Sequence, residues 1–292
     1  MIIVILCFFI SYIFALNDYD NIYDIKSNPR NISIGNMHIS TNNINNIFDS
    51  PVIINSKNNL AISLSKLNSN MKIIHLAYCI KFNNNMNISF GIVRREINNN
   101  HGTNLAWTND GYPDLEEINY DMIYNFYDRE TGLLISYNKI NDKSLIGINF
   151  KPLYHSIGKS NAIGYQMDMR YIFNFTNIQI AFGIDNIISQ KKWNYGLVEK
   201  FNLDGYFNIS FLKLKKTSFF YEINNYLDSK IGLEYRVVDK ISIRTGFFDS
   251  NFTFGLGFKL NNIDFDYTYL DNHYNILENS HTVGFIIKLN NF

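Results

Sequence analysis

Several things are scarce in this chain, and each scarcity excludes a class of protein. There are two cysteines in 292 residues, Cys7 and Cys79. Cys7 lies in an apolar N-terminal run that reads as a removable signal, so the mature chain keeps one thiol and no internal disulfide. A secreted chain without disulfides must draw its stability from an extensive hydrogen-bonded structure. Net charge is also absent, with 26 basic residues balanced by 26 acidic ones. That balance argues against a nucleic-acid partner held through phosphates. Long apolar runs are missing after residue 16, and the mean hydropathy is −0.13. A helical membrane bundle needs several apolar stretches of about 20 residues, so that class is excluded. A transmembrane β-barrel is not, because half of each of its strands is polar.

The one apolar run, Ile2–Leu16, is too short for a stop-transfer helix and has the length of a signal-peptide core. Ile13-Phe14-Ala15 marks a cleavage site, although no Lys or Arg precedes the run. Residues 1–15 are therefore expected to be a signal peptide. Residues 60–292 carry a regular pattern. Residues 16–59 are polar, Asn-rich and weakly patterned, and are expected to plug or cap the structure that the patterned residues form.

That pattern has a period of two, which is the signature of strands. Phe252, Phe254, Leu256 and Phe258 alternate with Thr253, Gly255, Gly257 and Lys259. Val283, Phe285, Ile287 and Leu289 alternate with Thr282, Gly284 and Lys288. One face is large, apolar and aromatic; the other is small, polar or charged. Strands are predicted at about 60–66, 71–82, 86–95, 131–138, 144–154, 162–173, 177–185, 203–212, 217–224, 229–237, 240–248, 252–260, 263–270 and 281–289. The longest gaps, 96–130, 186–202 and 271–280, all follow odd strands, while gaps after even strands are short. Outer-membrane barrels separate long external loops from short periplasmic turns in this way. The expected fold is all-β: a closed antiparallel transmembrane barrel of about 14 strands, with an N-terminal plug-like segment, in the outer membrane of a Gram-negative-type bacterium.

The polar face carries a charge network expected to line the lumen: Glu234, Arg236, Arg244, Lys259, Asp264, Asp266 and Lys288, with Lys151, Asp168, Arg170 and Asp185 in the earlier strands. These charges read either as a polar passage or as paired charges filling a wide barrel. If Asn261-Asn262 is a two-residue turn, Lys259 stands opposite Asp264 and Lys288 approaches the same acid. The six histidines form no close metal-like pair, and no catalytic motif stands out. A non-enzymatic protein without metal or cofactor is expected. Asp114, Glu116 and Glu117 form an acidic cluster in the longest loop, read as solvated rather than calcium-binding.

Thr282-x-Gly284-x-x-Ile287-x-Leu289, with Phe292 closing the chain, resembles the C-terminal assembly signal of bacterial outer-membrane proteins. It implies a barrel-assembly machinery and outer-membrane lipid as partners. Pro29-Arg30-Asn31-Ile32-Ser33-Ile34-Gly35, Ile47-Phe48-Asp49-Ser50-Pro51, Ile163-Gly164-Tyr165-Gln166-Met167-Asp168-Met169, Ile231-Gly232-Leu233-Glu234-Tyr235-Arg236 and Ile241-Ser242-Ile243-Arg244-Thr245-Gly246-Phe247 together resemble the PorV/PorQ family. That family is itself similar to the outer-membrane long-chain fatty-acid transporters. Asp-Ser-Pro-Val stands where the family has Asn-Pro-Ala-Gly. The resemblance implies a component of protein secretion, of the type IX kind, with secreted cargo or secretion-system proteins as partners. The alternative it leaves open is a transporter for a hydrophobic small molecule.

Overall fold

The alternation closes into a barrel. The computed structural model describes residues 21–26, 28–39, 44–53, 59–67, 71–83, 85–103, 105–106, 118–141, 143–271 and 279–289. The strands are β1 (Asn59–Lys66), β2 (Met71–Asn83), β3 (Met86–Gly102), β4 (Tyr124–Ile140), β5 (Ser144–Ile157), β6 (Ser160–Asn174), β7 (Ile178–Trp193), the short β8 (Val198–Glu199), β9 (Asp204–Leu214), β10 (Thr217–Asn224), β11 (Ser229–Val238), β12 (Ile241–Phe248), β13 (Asn251–Lys259), β14 (Ile263–Asp271) and β15 (Ser280–Lys288). Each pairs antiparallel with its neighbour, and β1 pairs with β15 from Asn59↔Lys288 to Lys66↔His281. Since β8 pairs only with the end of β7, the closed wall has fourteen strands. Closure gives each of the fourteen strands a neighbour on both sides, so no strand is left as a free edge facing lipid.

All fourteen strands fall where the alternation places them, but several are longer than predicted. β3 and β4 run for 17 residues each and β7 for 16, against 8 to 10 for β10 to β15. At ~3.3 Å per residue the β3–β7 side of the wall extends roughly 20 Å further. The predicted gaps at 96–130 and 186–202 thus shrink to 103–123 and 194–203. The pattern hid this because the extensions leave the lipid and lose their apolar face; Arg129 and Asn125 stand exposed there.

The face exposed around the wall is apolar. Ile74, Leu76, Phe90, Ile92, Leu133, Ile135, Phe150 and Phe252 are all exposed, while their inward neighbours are buried. A water-soluble protein would not present so continuous an apolar band; a lipid-facing wall must. Of the predicted C-terminal signal, Thr282 and Gly284 point inward, Ile287 and Leu289 outward, and Phe292 lies outside the described residues.

Residues 21–53, where described, lie inside the wall. A short helix α1 (Pro29–Ser33) is capped by Asn28, whose side chain accepts from the Arg30 N–H, and Pro29 sits in its first turn. A 3-10 turn comes next, at Ile44–Phe48. The segment is two-faced. Ile22, Tyr23, Ile44, Ile47, Phe48 and Ile53 pack on the small inward residues Ala61 and Ala77, with Cys79, Val93, Leu134 and Ile286 around them. Burying each large apolar side chain contributes on the order of 1.5–3 kcal/mol. Besides the expected charges, the lumen therefore holds an apolar cluster on its β1–β5 side.

Wall side chains complete the segment's backbone hydrogen bonds, since buried N–H and C=O groups must find partners. Asn149 Nδ2 donates to Ile47 O at 2.8 Å, Ser136 Oγ to Pro51 O at 3.1 Å and Thr253 Oγ1 to Ser33 O at 3.0 Å. Thr268 Oγ1 donates to Pro29 O. The inward glycines give the room. A Cβ on Gly246 or Gly232 would strike the Ile34–Gly35 backbone, one on Gly255 the Ser33 side chain, and one on Gly132 the Tyr23 ring.

Candidate functional site

The predicted lumen charges separate into two groups. In the inner group Arg244 stands between two acids, with Nε donating to Glu234 Oε2 at 2.7 Å and Nη1 to Asp266 Oδ1 at 2.5 Å. Glu234 also receives Arg30 from α1, through Nε at 2.7 Å and Nη2 at 3.1 Å. Arg30 is not among the charges that alternation assigns to the lumen. An isolated basic residue in an unpatterned stretch carries no sequence signal; only the fold brings it across.

The outer group sits at the short-turn rim. Lys259 pairs in register with Asp264, and Lys288 Nζ donates to Asp264 Oδ1 at 2.6 Å. Leu260 N donates to Ile263 O at 2.8 Å, so the turn has the expected form. Lys259 is exposed and Arg236 half-buried, so these charges frame the mouth rather than the interior.

A third cluster, of which sequence reasoning named only Lys151, Asp168 and Asp185, surrounds a polar cavity of about 170 Å³ between the N-terminal segment and the wall. The segment supplies Tyr23, Asp24, Lys26, Asn36 and His38; the wall supplies Lys151, Gln166, Asp185, Asn186, Asp204 and Lys230. His38 anchors the segment here. Its N–H donates to Glu222 Oε2 at 2.7 Å, its Nδ1 lies 2.9 Å from Glu222 Oε1, and its Nε2 lies 3.3 Å from Asp185 Oδ2. Its ring stacks on Tyr206 at 3.9 Å. Lys230 Nζ donates to Glu222 Oε1 at 2.9 Å and to Asn36 O at 3.1 Å. Lys151 pairs with Asp168. Of the four early charges expected in the lumen, Lys151, Asp168 and Asp185 join this cluster. Arg170, fully buried, lies over the Tyr206 ring at 5.4 Å instead. The available signal was Glu222 and Gln166, polar residues at inward positions of their strands.

In the segment itself, burial and the nearby Glu130 and Asp168 carboxylates hold the Tyr23 phenol well above its usual range. It stays a donor, 2.7 Å from Pro152 O. Asp24 opens onto the cavity, yet enclosure by the barrel raises its carboxyl to about 6, against the lowering pull of the Asn21 N–H, Lys151 and Lys26.

Beside this cavity the wall ladder is interrupted. β7 pairs with β9 from Ile178↔Phe211 to Asp185↔Asp204, and with β8 only at Lys191 and Lys192. Between these, residues 186–190 have no strand partner on that edge. Side chains bridge the seam: Asn186 Nδ2 donates to Asn202 O at 2.9 Å, Ser189 Oγ donates to Phe201 O at 3.0 Å, and Phe201 N donates to Ser189 Oγ at 3.1 Å. Asn186 has φ +59°, and the β6–β7 register shifts at Met167/Met169. Alternation fails locally, leaving Ile187 and Ile188 both exposed.

A second cavity, about 330 Å³, lies on the extended rim among Tyr124, Phe126, Tyr127, Arg129, Ser156 and Gly158. Another charge cluster lies on the inner wall of the extended side. Arg95 Nη2 is 3.1 Å from Glu130, His155 Nε2 2.7 Å from Asp128 and Lys191 Nζ 2.6 Å from Glu199. Among the described residues no group of His, Cys, Asp and Glu is arranged to hold a metal. The acidic loop cluster Asp114, Glu116 and Glu117 lies outside the described residues, as does the expected signal peptide, residues 1–15.

No family model and no curated protein matches the chain in sequence. Solved structures do match in fold. The toluene transporter TodX of Pseudomonas putida superposes with a TM-score of 0.68 at 8% identity, over 91% of this chain and 100% of that one. The CymD monoaromatic hydrocarbon channel superposes at 0.53, with 8% identity, over 80% and 88% of the two chains. At such identities the likeness concerns fold.

Proposed function

Starting from a closed fourteen-stranded outer-membrane barrel of this fold, we propose that the protein is a non-enzymatic transporter for small apolar molecules, with the N-terminal segment as an axial plug and the β7/β9 seam as the lateral route. The observation that carries the reading is the break in the wall ladder at residues 186–190. An apolar solute has no use for a water-filled axis; it needs a place where it can leave the wall for lipid. Side-chain bonds close the seam, and such bonds open at a smaller cost than a continuous backbone ladder. The exposed Ile187 and Ile188 offer an apolar exit. The aromatic cavity on the extended rim, with Tyr124 and Phe126, supplies an entry surface of matching chemistry. The names of the similar structures, a toluene transporter and a monoaromatic hydrocarbon channel, agree with this substrate class. The secretion-component reading rests on the PorV/PorQ-like sequence motifs alone.

Toluene is the probe for the test. Cells expressing the protein accumulate labelled toluene faster than control cells. Bridging the seam in a Ser189→Cys/Phe201→Cys variant with a short bifunctional thiol reagent returns uptake to the control rate. Uptake that persists through the bridged seam overturns the lateral route. Specific retention of secreted proteins in a pull-down, without toluene uptake, moves the assignment to the secretion role.

A further inference from the structure

The polar cavity beside the seam has no part in moving an apolar solute, and its charges do not balance internally. Lys151, Lys230 and His38 have acidic partners. Lys26 has none in contact: among the described residues its Nζ hydrogen-bonds only His38 Nε2, while it acts on Asp24, Asp185 and Asp204 from a longer distance. Asp204 lies directly opposite Asp185 in the last rung of the β7–β9 ladder. Like charges facing each other across a ladder repel, and the His38 ring is paired with Asp185 rather than with Asp204. Asp204 Oδ1 is buried and unpartnered. Gln166 is fully buried on the cavity wall, and neither its amide oxygen nor its amide nitrogen has a partner. Burying an amide with both groups unsatisfied is unfavourable unless something in the chamber answers them. One small chamber thus offers an ammonium with no carboxylate in contact, a carboxylate oxygen with no hydrogen bond, a free donor and a free acceptor.

We propose that this chamber binds a small zwitterion of the α-amino-acid type, a second ligand class independent of the apolar route. The ligand ammonium is received by Asp204 Oδ1, which separates the two facing carboxylates. The ligand carboxylate is received by Lys26 Nζ and the Gln166 amide N–H. The volume of about 170 Å³ holds roughly five or six waters, which is room for a small amino acid such as alanine with about two or three waters beside it. A lone cation would leave Lys26 and the Gln166 donor unanswered, and a lone anion would leave Asp204 so. Because Lys26 belongs to the N-terminal segment and Gln166 and Asp204 to the wall, an occupant ties the two together.

The test is titration calorimetry on the full chain in detergent, with L-alanine as probe and methylammonium and acetate as half-ligands. L-alanine gives saturable heat. Each half-ligand binds at least tenfold more weakly, and Gln166→Leu and Asp204→Asn each weaken L-alanine at least tenfold. Absence of saturable L-alanine binding, half-ligands that bind as well as L-alanine, or variants that bind it unchanged would each overturn the proposal. A second measurement needs no variant: acetylation of Lys26, followed by mass spectrometry, slows at least fivefold in saturating L-alanine while the exposed Lys259 is unaffected. Equal slowing at both lysines, or none at Lys26, counts against the site.

Discussion

Glu234 is the residue on which the inner charge network turns, since two guanidiniums share its carboxylate. Removing one partner of a buried pair leaves the others uncompensated, at a typical cost of about 3–5 kcal/mol. Glu234→Ala is expected to lower the temperature at which the folded barrel loses its compact gel mobility, whereas Asp264→Ala shifts it little. Lys288, the partner of Asp264, is 38% exposed, and an ion pair so wetted contributes about 0–1 kcal/mol. Equal shifts for the two variants would contradict the division into inner and rim groups. From sequence both acids looked alike: each occupies an inward position beside a basic one. Depth within the barrel, which alternation does not encode, separates them.

The N-terminal segment was legible as a separate element but not as a packed one. Its apolar residues, Ile32, Ile34, Met37, Ile39, Ile44 and Ile47, keep no regular period, because the segment is irregular and contacts different strands along its path. The complementary signal lay in the wall. Inward positions filled by Ala61, Ala77, Gly91, Gly132, Gly232 and Gly246 leave a void that something must occupy. Gly246 is the sharpest case, because its virtual Cβ meets backbone that cannot swing aside. Gly246→Leu is expected to leave barrel assembly intact while exposing residues 28–39 to added protease in detergent. Protection equal to that of the wild type would show that the segment is not held by this close approach.

For the whole molecule, a lumen so occupied is expected not to conduct as an open pore. Full-length protein in planar bilayers is expected to stay closed. Deleting Asn21 to Asn46 removes α1, His38, Arg30 and most of the segment's apolar face, and is expected to produce steady single-channel currents. Large currents from the intact protein would refute the plugged reading. A deletion as closed as the wild type would assign the barrier to the remaining wall charges.

The sequence by itself determined the strands, their count, their closure and which face meets lipid. Those depend on a local rule, a period of two repeated over segments long enough to cross a bilayer. It also placed Lys259 opposite Asp264, because one tight turn fixes that register, and brought Lys288 of the neighbouring last strand to the same acid. Only the tertiary structure decided that an apolar cluster fills part of the lumen, that Arg30 and His38 reach wall acids 204 and 184 residues away, and that the ladder breaks beside a charged cavity. These are contacts across the inside of a closed cylinder. They depend on what an irregular segment does in a confined volume, and no periodicity along the chain reports on that.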